Sequence, residues 1–320
     1  MCAFELAKLN MNSNYRNNRK IYLFCVVFAC FFIGCSNESS LPNLKRIKTY
    51  TQGLKHPTQI VKLDNHFLLS QMHTPLPLTV DGLDSPIPNV TAAEGLKSPH
   101  FFAVSDNGFY LSDGRKSDIW FFPDNQIDRG RIISKGLGLN RPHGLCLDKF
   151  DWLYIADSVN SRLVRWHTKF HTTEVFADHQ KRIAYGRQLL CREDGIWLSN
   201  SYEKSFKLNP GNGANILKIT DFSSGKSKVI FADPNTNFTG IEIINNRLLL
   251  VGRWSGKFDV VQVDMSNFTL LDSLITYESN LDAPYGMYHD SAEQKLYISF
   301  LGLGKNRTKG QTGGIVEFTY

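Results

Sequence analysis

His100 and His143 are the residues from which a chemistry can first be argued. Each follows a proline, as Pro99-His100 and Pro142-His143. A neutral imidazole ligates divalent cations and works as a general base near pH 7. A catalytic zinc, however, takes about three protein ligands and one open position. Comparable places elsewhere in the chain hold Thr58, Tyr185, Thr239 and Tyr285, and His56 stands on the wrong side of Pro57. Two readings remain. One is a divalent cation, zinc or calcium, with His100 and His143 as metal ligands. The other, favoured by the incomplete ligand set, is a pair of hydrogen-bonded histidines in a binding mouth.

Further polar and aromatic residues extend the candidate set. Arg187, Gln188, Glu242 and Tyr288 fall inside apolar segments, where an unpaired charge is costly, so they are expected to line a channel or to pair, as Arg187 with Glu242. Arg253 and Trp254 are expected in a turn, with Trp254 as an exposed stacking platform. The candidate channel-mouth binding residues are thus His100, His143, Tyr185, Arg187, Glu242, Tyr285, Arg253 and Trp254. Asp157, Asn160 and Arg162 are read as turn-stabilising, because Asp and Asn side chains bond nearby backbone. No Gly-x-Ser-x-Gly nucleophile motif is present, nor a phosphate-cradling or dinucleotide-binding loop.

These residues need a scaffold that returns to the same place many times. The stretch 139–168, LNRPHGLCLDKFDWLYIADSVNSRLVRWHT, reads as strand, turn at 148–151, strand, polar turn and third strand. Its middle strand is apolar on both faces, which requires packed layers on both sides. The pattern recurs at Pro57, Pro99, Pro142, Ala184, Phe238 and Pro284, a period of 40–50 residues that signals a propeller. Second strands are expected near 66–69, 108–111, 153–156, 195–198, 247–251 and 296–300. Third strands are expected at 118–122, 205–208, 258–263 and 314–318. The segment 44–50 resembles the outer strand expected at 131–135, so it is expected to complete the sixth unit and close the ring. The fold class is all-β, a six-bladed β-propeller over residues 44–320.

The Pro-x-Gly opening, the D…LYIAD strand and the D-S-x-N-S-R turn resemble the NHL repeat. The Pro-His opening also resembles the amidating lyases, propellers in which histidines from separate blades bind zinc at the channel mouth. By that resemblance His100 and His143 would be ligands, and Glu242 an acid–base or metal candidate, as in gluconolactonase-type propellers. The favoured reading is a binding module acting through one face, for a small molecule, glycan or envelope protein. The alternative is a metal-dependent lyase or lactone hydrolase.

The N-terminal residues suggest where this happens. Arg16, Arg19 and Lys20 precede an apolar run from Ile21 to Ile33, too short to span a bilayer but suited to a signal peptide. Gly34-Cys35 resembles the bacterial lipobox, which implies lipidation of Cys35. Residues 1–34 are then a lipoprotein signal peptide and 35–43 a lipidated tether. Ser36 after the cysteine implies the outer membrane, and the lipid makes the membrane a partner. Without the leader, 32 basic and 29 acidic residues leave about +3, too dispersed for nucleic acid. Cys146 and Cys191 stand in apolar strands. They could pair in an oxidising compartment, but two buried thiols are the favoured reading.

Overall fold

The structure, a computed structural model, describes residues 40–72, 77–84, 96–179, 181–201, 214–254, 258–276, 281–302 and 313–320. The leader, Cys35, Ser36 and the segment 205–208 lie outside the described residues. The described strands form six antiparallel sheets, five of four strands and one of three. Each sheet is one blade, and the inner strands contact one another in sequence around a closed ring.

Blade 3 explains the strand that is apolar on both faces. In its second strand, Trp152–Asp157, Leu153 and Ile155 pack with Ala103, Tyr110 and Ile119 of blade 2. Tyr154 and Ala156 pack with Leu189, Ile196 and Leu198 of blade 4. Strand side chains alternate, so one apolar strand joins both neighbouring blades. Four other apolar interfaces between blades follow the same plan around the ring.

Blade 6 closes the ring. Its inner three strands are Pro284–Asp290, Lys295–Phe300 and Gly314–Thr319. The N-terminal strand Lys45–Tyr50 supplies the fourth, pairing antiparallel from Lys45–Thr319 to Tyr50–Ile315. Tyr50 adds a hydrogen bond to Glu317. The strand satisfies an edge that would otherwise be exposed.

Two sequence expectations change here. The third strand of blade 4 is Ala214–Asp221, later than the segment 205–208. Cys146 and Cys191 are joined as a disulfide, with Cα atoms 5.5 Å apart, rather than being two thiols. They lie on the inner strands of blades 3 and 4, Pro142–Leu147 and Tyr185–Arg192. Neighbouring inner strands run side by side, which brings two cysteines far apart in sequence within bonding range.

Candidate functional site

Each inner strand departs from its ladder at the same place. Pairing runs Pro99–Asp113 then Phe102–Leu111 in blade 2, and Gly186–Asn200 then Leu189–Leu198 in blade 4. The matching breaks follow Pro57, Pro142, Phe238 and Pro284. Such an irregularity re-aims a side chain and leaves backbone groups without ladder partners. The residue after the last regular pair is Thr58, His100, His143, Arg187, Thr239 or Tyr285. These six form a ring at one end of the channel, here called the top.

This corrects the blade 4 expectation. Arg187, not Tyr185, holds the ring position, two residues later than the sequence repeat suggested. The guanidinium of Arg187 lies over the Tyr185 ring at 4.3 Å, so both residues remain in the cluster.

A set of serines fixes the ring to its neighbours. Ser70, Ser112, Ser199 and Ser299 end second strands. Each donates to the carbonyl of the next blade's ring residue: His100 at 2.7 Å, His143 at 2.6 Å, Thr239 at 2.7 Å and Thr58 at 2.8 Å. Three of these hydroxyls also accept the freed N–H groups of Phe101, Gln188 and Gly286. In blade 3, where Ala156 takes the place of serine, Ser158 donates to the Gly186 carbonyl instead, at 2.6 Å. In blades 2, 3 and 4 the residue after this position holds the loop leading into the inner strand. Asp113 accepts the amides of Lys97 and Ser98, Asp157 accepts that of Asn140, and Asn200 those of Ala184 and Tyr185. Asp157 also binds Asn160 and Arg162, in the turn-stabilising role expected. The serines were legible in the sequence as a small residue, Ser70, Ser112, Ala156, Ser199, Gly252 and Ser299, near the end of each second strand, but the strand pattern alone drew no attention to them.

Beneath the ring the channel is filled. Gly144, Gly240 and Gly286 lie so close to the next inner strand that an added Cβ would fall 2.2–2.3 Å from a backbone carbonyl oxygen. Gln188 crosses above Gly240, accepts the amides of Ile241 and Met287 and donates to the Met287 carbonyl. Phe101, almost fully buried, packs beside Tyr285.

On this floor stands the cluster of His100, His143, Tyr185, Arg187 and Tyr285. The two imidazoles stack at 4.5 Å. Tyr285 Oη lies 3.5 Å from His100 Nδ1. His143 Nδ1 is 3.0 Å from the Arg141 carbonyl and 2.9 Å from Ser158 Oγ. A carbonyl only accepts, so Nδ1 carries the proton and Nε2 accepts from Arg187 Nη1 at 3.3 Å. Burial first, then the cations around it (His100 when protonated, Arg187 and Arg141), holds His143 well below the usual histidine range. Burial pushes the Tyr285 hydroxyl up to about 12, while Arg187 and Arg141 act against the rise. The cluster therefore sets a neutral His143 ring and the Tyr285 phenol beside the Arg187 guanidinium, all of them buried.

These residues do not fit a divalent cation. Both nitrogens of His143 already have hydrogen-bond partners, and a guanidinium faces Nε2. Among the described residues no group of three His, Cys, Asp or Glu side chains could hold a metal ion. The arrangement suits an anion or a molecule rich in hydroxyl and carbonyl oxygens.

Three expected site residues stand elsewhere. Glu242 is buried lower on the inner strand of blade 5, Asn237–Ile244, where its carboxylate accepts the Ile243 amide at 2.9 Å. Burial raises it to about 7, and the cation acting on it is Arg192 rather than Arg187. Arg253 and Trp254 end the second strand of blade 5, Leu248–Trp254, rather than forming a turn. Arg253 pairs with Asp259 at 2.7 Å and with Asp233 at 3.3 Å. Trp254 is half-buried and stacks on Phe258 at 5.6 Å, so its ring face is already used. An open groove of about 1150 Å³ lies at the opposite end, between blades 3 and 4, lined in part by Trp152, Arg165, Arg192, Asp194 and Phe222. It contains none of the ring residues.

No family profile matches the chain, and no curated protein is similar to it in sequence. Solved structures share its fold. The aldose sugar dehydrogenase of Streptomyces coelicolor, determined with PQQ bound, has a TM-score of 0.64 at 12% identity, over 88% of this chain and 98% of that one. The virginiamycin B lyase of Staphylococcus aureus has a TM-score of 0.55 at 14% identity, over 87% and 99%. U3-55K has a TM-score of 0.58 at 13% identity, over 88% and 100%. The fold is thus that of enzymes and of other propellers alike, and propellers serve many chemistries.

Proposed function

We propose that this protein is an exported, lipid-anchored propeller that binds an anionic or oxygen-rich small molecule, such as an acidic glycan end, at the top of its channel. The observation that carries the reading is the Arg187–His143 contact. It keeps the imidazole neutral, engages its outer nitrogen and sets a cation at the ring position of blade 4. The lipobox-like Gly34-Cys35 supports anchoring at Cys35 in the outer membrane. The Cys146–Cys191 disulfide supports an oxidising compartment outside the cytoplasm.

The test is a thermal-shift panel of uronic acids, sialic acid, sugar phosphates and neutral sugars. An acidic compound is expected to raise the melting temperature, and Arg187→Met to abolish that rise at unchanged fold. No response to any acidic compound, or an equal response in the variant, would count against the reading. The metal-dependent lyase or lactone hydrolase needs a cation between His100 and His143. One stoichiometric zinc or calcium, lost in His143→Ala, would replace the binding reading with that one.

A further inference from the structure

The bottom end carries a feature that the top-face reading does not use. Phe150 is 64% exposed and Phe170 is 74% exposed, the two most exposed large apolar side chains among the described residues. Both sit at the bottom of blade 3. Phe150 is in the turn between Pro142–Leu147 and Trp152–Asp157, and Phe170 in the turn between Arg162–His167 and Thr173–Val175. Each follows a lysine, as Lys149-Phe150 and Lys169-Phe170.

The two turns are built to hold these rings outward. Asp148 Oδ1 accepts the amides of Phe150 and Trp152 at 2.9 and 3.0 Å. His167 Nδ1 accepts those of Lys169 and Phe170 at 3.2 and 3.4 Å. The turns are tied together by the Thr168 amide on the Asp151 carbonyl, 2.9 Å, and by Lys169 to Asp151, 2.6 Å. Val104, 38% exposed, adds an apolar residue at the bottom of neighbouring blade 2. The other exposed large apolar residues, Ile47, Val175 and Leu270, lie on outer strands, and none lies at the top. Single exposed apolar residues need no explanation, but two exposed aromatics on adjoining turns of one blade do.

The course of the chain identifies the occupant. Lys45 pairs with Thr319, the bottom end of blade 6, so the closing strand starts at the bottom. Nine residues separate Cys35 from Lys45, a reach of roughly 30 Å when extended. Blades 3 and 6 are opposite each other in a ring of six. We propose that the bottom face lies against a phospholipid bilayer, with Phe150 and Phe170 inserted among the headgroups and Lys149 reaching its phosphates. Aromatic rings favour that interface, and lysine stems extend along it with the ammonium in water. The anchor would hold one edge and the aromatic pair the other, turning the top-face site away from the membrane. The approach of the tether rests on the Cys35 reading; the aromatic edge does not.

The test uses the unlipidated propeller, residues 42–320, which contains all six blades and the closing strand. Co-sedimentation with vesicles of phosphatidylethanolamine and phosphatidylglycerol, three to one, is measured for the parent and for Phe150→Ser/Phe170→Ser. The parent is expected to partition, the double variant at least tenfold less, and a Phe150→Trp reporter to shift its emission to the blue on vesicle addition. Unchanged thermal unfolding of the double variant shows that the fold is intact. Equal partitioning of both proteins, or none by the parent, overturns the proposal. Loss in the double variant of a stoichiometric complex with an envelope protein, without vesicle binding by the parent, overturns it in favour of a protein-docking edge. Failure of Cys35 lipidation or of the sugar-acid panel leaves these outcomes unaffected.

Discussion

At the top of the channel, blades are joined by serine hydroxyls that bridge one second strand to the next inner strand. At the bottom, blades 3 and 4 are joined by a covalent bond, and the nearest titratable group inside the channel wall of blade 5 is an acid. The top sets the Arg187 guanidinium beside the neutral His143 ring; the bottom buries Glu242 and exposes Phe150 and Phe170. A repeat fold thus gives equivalent backbone at every blade and leaves each end free to be specialised by side chains. The polar joints at the top hold donors and acceptors in fixed positions, which a binding site requires. The bottom joint constrains the chain and leaves the surface to partners.

The largest effect that would separate the two ends is loss of the disulfide. Its loop spans 45 residues, and the chain-entropy model gives about 4 kcal/mol for a loop of that size. Denaturant unfolding of the oxidised propeller, the reduced propeller and Cys146→Ser/Cys191→Ser should show the last two equal and less stable by up to that amount. Amide exchange should rise first in the lower halves of the inner strands of blades 3 and 4. If reduction leaves stability unchanged, the bottom joint is held by packing, as the other blade interfaces are, and the contrast disappears.

The second effect belongs to Glu242. Its carboxyl is raised from 4.5 to about 7 by burial. The folded protein therefore holds a proton that the unfolded chain has released between those values, and stability falls as pH rises through that window. At pH 8 the ionised, buried group costs about 3 kcal/mol at most by linkage. Glu242→Gln should be as stable as the parent near pH 4 and more stable above pH 7, with unfolding measured across that range. A variant that is less stable at pH 8 would mean that the carboxylate has a favourable partner there and that the bottom acid is a binding group.

What the sequence disclosed follows the same division. The alternation of Leu153, Tyr154, Ile155 and Ala156 disclosed the blades, because burial on both faces leaves a pattern in composition. The return of the chain through Lys45–Tyr50 was legible by likeness to another outer strand. The ring was legible where proline marks it and displaced in blade 4, where Ala184-Tyr185-Gly186 imitates the opening two residues early. Only the pairing of Gly186 with Asn200 reveals the true position of Arg187. The disulfide was hidden because Cys146 and Cys191 fall one step apart in their blades' own repeats, so periodicity gives them no relation. Trp254 looked like a turn residue because blade 5 carries its second strand one residue past Arg253, as blade 4 carries its own to Ser201, and a strand end carries no composition signal.

The smallest effect tests the top end and has the opposite slope. His143 titrates below 6.5 in the folded protein, held down by burial and by Arg187 and Arg141. As pH falls below 6.5, the unfolded chain takes up a proton that folded His143 refuses, so stability is lost in that direction. His143→Gln can still accept from Arg187 through its carbonyl oxygen and donate to the Arg141 carbonyl through its amide. It should flatten the acid limb of the stability profile and leave the limb governed by Glu242 in place, whereas Glu242→Gln should do the reverse. The two variants, unfolded in denaturant from pH 4 to pH 8, therefore report on separate ends of one channel. If His143→Gln instead changed the slope between pH 7 and pH 8, the two ends would be coupled through the inner strands. The filled floor formed by Phe101 and Gln188 would then transmit charge rather than isolate it.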